Sequence, residues 1–271
     1  MSLFAQLKTV LGARDSADGP NIAVFGDSHT YALLRGAEAA DRRHLYDHIR
    51  IWRLRKQKNG KVVGDADLSR FCREIRNYKD TDFVFSMVGG NQYAVISTVQ
   101  EPVDYDFLSS PTDDDWASDN AQLVPFRAIA ALIDSGVRGT MGPVLREIRQ
   151  STRAQVFHLA PPPPKQDNAY IARHFEGRFA EAGIDELGPA RPELRLKCWK
   201  VQYECLSRLC KELDIVLIAP PGKSRTDKGE GFLAPPYYAK DVTHGNRHYG
   251  ELVLKQILKI TRTGQNVEAR Q

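Results

Sequence analysis

Residues 21–30 read NIAVFGDSHT, and this stretch decides the predicted fold. Its first half is short and apolar, which is typical of a strand buried on both faces of a parallel sheet. Asp27, Ser28 and His29 follow at once, ahead of a helical pattern. A serine placed between a carboxylate and an imidazole at the end of a strand either caps the next helix or acts as a nucleophile.

Four more short apolar runs are predicted to be strands of the same sheet. They are IRIWRLR (49–55), DFVFSMV (82–88), AQVFHLA (154–160) and DIVLIAP (214–220). The first of these alternates Ile with Arg, which predicts an edge strand with one face in water. Helical patterns separate the runs, at residues 30–42, 67–78, 125–150, 191–213 and 246–262, and glycines interrupt the third pattern. This alternation predicts an α/β fold in which helices cover both faces of a parallel sheet.

The chain of 271 residues shows no internal repeat and no linker, so we expect a single domain over 1–271. Its core is expected to span about residues 20–262, between flexible tails. Two long segments, 99–120 and 221–240, match neither a strand nor a helix and are expected to be loop insertions. Long loops on a compact domain are often functional, so a surface excursion and a substrate-binding role both stay open for them.

The charge pattern does not favour a nucleic-acid partner. The 38 basic and 34 acidic residues leave a net charge of +4, and the excess is scattered. The locally basic run Arg50–Lys61 is interpreted as a strand and its solvated end rather than a binding patch. No apolar run approaches the ~20 residues of a membrane span, and the first residues lack the features of a secretory signal. We therefore expect a cytoplasmic protein, with a signal already removed from the chain as the open alternative.

The cysteines and glycines do not predict a metal or a cofactor. The four cysteines form no CxxC pair, so neither a zinc site nor a disulfide framework is expected. Cys198 and Cys205 are spaced to share one face of a helix, which favours core packing. No GxGxxG motif follows the first strand, so the sequence does not predict a bound NAD.

The polar residues that follow the strands are the candidates for chemistry, because ligands bind beyond the carboxyl ends of an open parallel sheet. Ser28 follows the first strand, and the segment DVTH, residues 241–244, follows the last. His244 can act as the base for Ser28, since imidazole side chains titrate near neutral pH. Asp241 can orient that imidazole from three residues earlier. The alternatives are a helix cap at Ser28 and an exposed turn at 241–244.

Three groups could stabilise a negatively charged oxygen in a reaction intermediate. They are the backbone N–H groups of Ser28 and Gly64 and the side-chain amide of Asn91. Gly64 is preferred to Gly60 because residues suited to cap a helix follow it, and the choice between the two stays open. Asn91 follows two glycines, so a simple turn is the alternative there.

Taken in order, the blocks GDSHT, a glycine before a helix, GGN and DVTH resemble the SGNH, or GDSL-type, hydrolase family. The resemblance implies a flavodoxin-like three-layer α/β/α sandwich with a five-stranded parallel sheet, and ester hydrolysis through an acyl-enzyme. The roles that it implies are nucleophile, base, orienting acid and oxyanion donors, for Ser28, His244, Asp241, and Gly64 with Asn91. His29 stands where the family usually has leucine.

The motifs favour a serine esterase that hydrolyses a short-chain acyl ester, such as a carbohydrate O-acetyl ester. Its partner would be a small-molecule or glycan ester, and the oligomeric state stays open. Candidate substrate-binding residues lie beside the serine or in the insertions: Asp27, His29, Tyr105, Trp116, Tyr237 and Tyr238. Two alternatives stay open. One is an acyltransferase that uses the same triad on a sugar or other hydroxyl acceptor, and the other is a non-catalytic ligand-binding protein.

Overall fold

The computed structural model of the protein describes residues 19–39, 46, 48–58, 60–108, 120–226 and 231–263. The strands are β1 (Ile22–Gly26), β2 (Ile49–Arg53), β3 (Lys56–Lys58), β4 (Lys61–Val63), β5 (Phe83–Met87), β6 (Tyr105–Asp106), β7 (Gln122–Leu123), β8 (Gln155–Leu159) and β9 (Val216–Ile218). The helices are α1 (Thr30–Ala39), α2 (Leu68–Ile75), α3 (Gln92–Ser97), α4 (Phe126–Thr140), α5 (Gly142–Gln150), α6 (Asn168–Arg173), α7 (Gly177–Glu181), α8 (Ile184–Leu187), α9 (Pro192–Glu212) and α10 (Arg247–Thr263). Two 3₁₀ turns cover Gly222–Ser224 and Pro235–Tyr237. None of the helices within the described ranges is long and apolar enough to cross a membrane.

The five predicted strands form one parallel sheet in the order β2-β1-β5-β8-β9. Counted within this sheet, the order is 2-1-3-4-5, which defines the flavodoxin-like fold. The predicted fold class is therefore confirmed. β2 lies at the edge, as its alternating sequence predicts, and Ile22 of β1 pairs with Ile49 of β2 on one side and Phe83 of β5 on the other.

Helices cover both faces of the sheet, because successive strand residues point to opposite faces and both sets are apolar. On one face, Val24 and Phe85 pack with Leu33 of α1 and Leu254 of α10. The other face carries α2, α4, α5 and α9, and there Phe25 stacks on Phe71 with ring centroids 4.4 Å apart. Cys198 and Cys205 of α9 are buried in that second core, as their spacing predicts.

The helix over 125–150 differs from its prediction. Gly136 and Gly139 do not interrupt it, since both lie inside the continuous helix α4, and the break comes at Met141. A glycine inside a helix costs only about 1 kcal/mol relative to alanine. The burial of Ile129, Ile133 and Val137 along one face of α4 outweighs that cost.

The two predicted insertions carry more regular structure than expected. In the first, β6 pairs in parallel with β7, which follows the insertion, and the buried carboxylate of Asp106 forms salt bridges with Arg191 and Lys197. The second contains the two 3₁₀ turns. Residues 109–119 and 227–230 lie outside the described part of the chain, as do the two tails that were expected to be flexible.

A close crossing of α1 and α10 joins the two ends of the described chain. Gly36 and Gly250 lie at this crossing. A Cβ atom added at Gly250 would lie 1.9 Å from the carbonyl oxygen of Ala32, and one added at Gly36 would lie 2.7 Å from the backbone nitrogen of Glu251. The two backbones therefore pack directly against each other, at a separation that no side chain larger than hydrogen permits.

We predict that Gly250→Ala lowers the free energy of unfolding by about 2 kcal/mol, because the added methyl group forces the two helices apart. The matched control is Gly139→Ala, where an added Cβ has no atom within 4 Å and alanine favours the helix by up to about 1 kcal/mol. Urea denaturation followed by circular dichroism measures both. Equal stability of Gly250→Ala and the wild type would contradict the close crossing.

Candidate active site

Ser28 lies at the carboxyl end of β1, between the end of that strand and the start of α1. In a sheet of this order the ends of β1 and β5 flank the switch point at which ligands bind. The loops that follow these strands are joined by Asp27, whose Oδ2 accepts a hydrogen bond of 2.8 Å from the backbone N–H of Gly89. Its Oδ1 accepts one of 3.3 Å from the N–H of His29. Asp27 thus holds the turn that presents Ser28, whose side chain is exposed.

The structure brings Ser28, His244 and Asp241 into one hydrogen-bonded chain. His244 Nε2 lies 2.8 Å from Ser28 Oγ, and His244 Nδ1 lies 2.9 Å from Asp241 Oδ2. Ser28 Oγ forms no bond to a backbone N–H of α1 within the described residues, so the helix-cap interpretation has no support from the geometry. These three residues, predicted from two motifs that lie up to 216 positions apart, thus meet with the geometry of a nucleophile, its base and an orienting acid.

Asp241 is held as an anion in a fixed orientation. Its Oδ1 accepts hydrogen bonds from the backbone N–H groups of Thr243, at 3.1 Å, and His244, at 2.8 Å. Burial by itself would raise the pKa of Asp241, but hydrogen bonding to His244 and the charges of His244 and Lys165 outweigh burial and hold the pKa well below its ordinary range. The carboxylate can therefore accept a hydrogen bond from Nδ1–H and stabilise an imidazolium on His244.

Lys165 is a residue of this site that sequence reasoning missed. Its side chain is 1% exposed, and Nζ donates hydrogen bonds to the backbone carbonyls of Ala239 and Asp241 and lies 3.4 Å from Asp241 Oδ1. Burial lowers the pKa of Lys165 to about 8, although Asp241 acts in the opposite direction. Lys165 thus fixes the loop that carries Asp241. No motif marks it, because its partners are 74 and 76 residues away in the chain.

The candidate oxyanion donors differ in whether they line the cleft that contains Ser28. Gly64 lines the same cleft as Ser28. Its φ is +100°, and a Cβ atom added there would lie only 2.4 Å from the carbonyl oxygen of Leu54, so the position requires glycine. Gly60 is in the hairpin turn between β3 and β4 and does not line the cleft. Within the described residues, the N–H groups of Ser28 and Gly64 have no acceptor. Asn91 precedes α3 in the loop tied to Asp27, but it is not among the residues that line the cleft.

Two buried histidines lie behind the exposed site. The ring of His29 has its centroid 4.5 Å from that of His244, and burial, then the charge of His244, lowers the pKa of His29 to about 4. Burial lowers the pKa of His158 on β8 to about 4 as well. Both rings are therefore neutral at pH 7. His29 supports the His244 ring by packing. Because it is buried and does not line the cleft, its position does not support the predicted role in substrate binding.

Of the aromatic candidates in the insertions, the three that the structure describes do not line the cleft beside Ser28. The hydroxyl of Tyr105 donates to the carbonyl of Ile96, and neither Tyr105 nor Tyr237 lines the cleft. Tyr238 is buried, and its hydroxyl accepts a hydrogen bond from the N–H of Gln166. Its ring, like that of Tyr170, packs near Lys165. Trp116 lies outside the described residues.

The cleft beside Ser28 has a volume of about 480 Å³. Its lining comes from the β1–α1 turn and the first turn of α1, from the segment β2 to β4 with the residue after it, and from the loop before α10: Asp27, Ser28, Tyr31, Ala32, Arg53, Lys56, Val63, Gly64, Ala239, Lys240, Asp241, His244 and Gly245. Glu176, Asp241 and His244 bring potential metal ligand atoms within 4.8 Å of one another. Hydrogen bonds already account for this cluster, since Glu176 Oε2 accepts from the N–H of Val242 and Asp241 binds His244.

A scan against protein-family models finds no match, and a search of curated proteins finds no matching relative. Among solved structures, Est24, a carbohydrate acetylesterase from Sinorhizobium meliloti, is 12% identical, with a TM-score of 0.47 over 91% of this chain and 100% of that one. A provisionally assigned acylhydrolase from Bacteroides fragilis is 10% identical, with a TM-score of 0.47 over 97% and 95%. Because both TM-scores are below 0.5, the fold assignment rests on the strand order and not on these neighbours.

We predict that Lys165→Met lowers kcat/KM at least tenfold when p-nitrophenyl acetate is the test substrate, because the loop that positions Asp241 loses its anchor. The acidic limb of the pH profile should also move to higher pH, since Asp241 then stabilises a protonated imidazole without the buried Lys165 cation beside it. The control is Lys223→Met, which removes an exposed lysine from a 3₁₀ turn. A lower rate with an unmoved pH profile would contradict the electrostatic part of this role.

Proposed function

We propose that this chain is a serine esterase that cleaves short-chain acyl esters through an acyl-enzyme on Ser28. One observation carries the proposal: the continuous path of hydrogen bonds from Ser28 Oγ through both ring nitrogens of His244 to Asp241 Oδ2, with separations of 2.8 and 2.9 Å. A serine hydroxyl is a weak nucleophile until an adjacent base takes its proton, and this path supplies the base and its orientation.

In the first half of the proposed reaction, Ser28 Oγ attacks the carbonyl carbon of the ester while its proton passes to His244 Nε2. The carbonyl π electrons move to the oxygen, which becomes an oxyanion. The N–H groups of Ser28 and Gly64 are the donors proposed for that oxygen, and the Asn91 amide is the third candidate. One such donor is typically worth about 3 kcal/mol of barrier. The carbon–oxygen bond to the alcohol then breaks, and the alcohol leaves with the proton from His244.

In the second half, water attacks the acyl-enzyme and gives a proton to His244 Nε2. The tetrahedral intermediate collapses, the acid leaves, and Ser28 Oγ recovers its proton from His244. Because the Ser28 side chain is exposed, water reaches this position directly. That access favours hydrolysis over transfer of the acyl group to a second alcohol. The alcohol of the natural ester is proposed to be a hydroxylated small molecule or a glycan.

The proposal is tested by the hydrolysis of p-nitrophenyl acetate at several pH values. We expect Ser28→Ala to lower kcat/KM by about 10³-fold or more, because loss of the nucleophile removes the acyl-enzyme route. Ser69→Ala is the matched control, since Ser69 is an exposed serine on α2, away from the cleft. Equal rates for the wild type and Ser28→Ala would overturn the proposal, because the turnover would then belong to another residue or to solvent.

A further inference from the structure

The basic run Arg50–Lys61, interpreted from the sequence as a strand and its solvated end, contributes to the cleft wall. The chain passes from the edge strand β2 into the hairpin formed by β3 and β4. Lys56, Val63 and Gly64 of this segment line the cleft that contains Ser28. The loop before α10 adds a second lysine, Lys240, directly ahead of Asp241. Two segments far apart in the chain therefore each place one lysine at the same cleft.

The other charged residues of the cleft already have partners within the protein. Arg53 forms a two-pronged salt bridge with Asp65, with N–O distances of 3.1 and 3.0 Å. Asp27 accepts hydrogen bonds from Gly89 and His29, and Asp241 is held by His244 and Lys165.

Lys56 and Lys240 differ from these residues. Both side chains are exposed, and neither forms a hydrogen bond or an ion pair within the described part of the chain. An ammonium group on a flexible four-carbon chain can reach an anion at a range of positions. The cleft therefore has two uncommitted positive charges and no uncommitted negative one among the charged residues that line it.

The cleft also offers apolar contact beside these charges. Tyr31, which is 48% exposed, and Val63, which is 37% exposed, share the wall with Ala32 and Ala239. A ligand with a compact apolar body and an anionic group matches this combination of contacts better than a neutral one. Positive potential at a cleft also raises the local concentration of anionic ligands and their rate of association.

We infer that the preferred substrates of this site are esters that carry an anionic group, a carboxylate, phosphate or sulfate, bound by Lys56 and Lys240. The inference rests on the proposed function for the statement that the ligand is an ester. The recognition of the anion rests separately on the two lysines. Because both are exposed, the effect should be modest for each lysine and should weaken as salt is added.

The test compares two pairs of esters, and each pair consists of an ionised carboxylate and its neutral methyl ester. In one pair, 4-acetoxybenzoate and its methyl ester, the charge is on the alcohol side. In the other, mono(4-nitrophenyl) adipate and its methyl ester, it is on the acyl side, on a chain long enough that the carboxylate does not readily close an anhydride ring. The measured quantity is the ratio of kcat/KM for the anionic ester to that for its neutral partner. This ratio is independent of the fraction of folded enzyme, so a partly unfolded variant still gives a valid result.

In at least one pair, we expect the ratio to fall about threefold in Lys56→Met and in Lys240→Met, and about tenfold in the double variant. The wild-type ratio should also fall as the ionic strength is raised to about 0.5 M, where screening is strong. The matched control is Lys61→Met, which removes an exposed lysine from the same hairpin that does not line the cleft. Ratios that are unchanged in the double variant for both pairs would overturn the inference.

A binding measurement separates this inference from the proposed function. Titration calorimetry of Ser28→Ala with 4-acetoxybenzoate and with its methyl ester reports recognition without turnover. Binding of the anion that requires the two lysines supports the inference even if the wild type hydrolyses no ester, and in that case the proposed function alone fails. Ester hydrolysis through Ser28 without a lysine-dependent preference, in rate or in binding, overturns the inference and leaves the proposed function standing.

Discussion

The close packing of α1 against α10 at Gly36 and Gly250 is the constraint on which the site depends. Ser28 lies two residues before α1, and His244 lies three residues before α10. With the two backbones in direct contact, the starts of both helices are placed at the carboxyl edge of the sheet. A helix is stiff over this length, so a crossing fixed at two glycines also restricts the separation of the loops that precede the helices.

The chemistry proposed for Ser28 depends on charges that are arranged around the His244 ring. Asp241 faces Nδ1 as a fixed anion, and the neutral ring of His29 packs against His244. The buried cation of Lys165 donates hydrogen bonds to the backbone carbonyls of the loop that carries Asp241. Each of these groups is oriented by backbone or side-chain contacts that exist before a ligand binds. Such preorganisation lowers the cost of forming an imidazolium at the moment of proton transfer, since the surroundings do not have to rearrange.

Much of the fold and the main candidate residues could be predicted from the sequence, because each depends on local signals. The five strands are apolar runs between helical patterns, and Ser28, Asp241 and His244 occur in short recognisable segments. Lys165 could not be predicted, because its position is decided by contacts with a loop more than 70 residues away. The interpretation of the basic run as a strand with a solvated end did not include its contribution to the cleft, for a similar reason. Lys56 is solvated, but only the turn of the chain into the β3–β4 hairpin places it at the cleft.

Covalent labelling tests whether Ser28 is an activated nucleophile. The wild type would be treated with a fluorophosphonate at pH 8, and the adduct would be located by peptide mass spectrometry. In this reaction Ser28 Oγ forms a bond to phosphorus and displaces fluoride. We predict one phosphonyl group per chain, on Ser28, and no labelling of Ser28→Ala. An unlabelled Ser28, under conditions in which an established serine hydrolase reacts to completion, would contradict it.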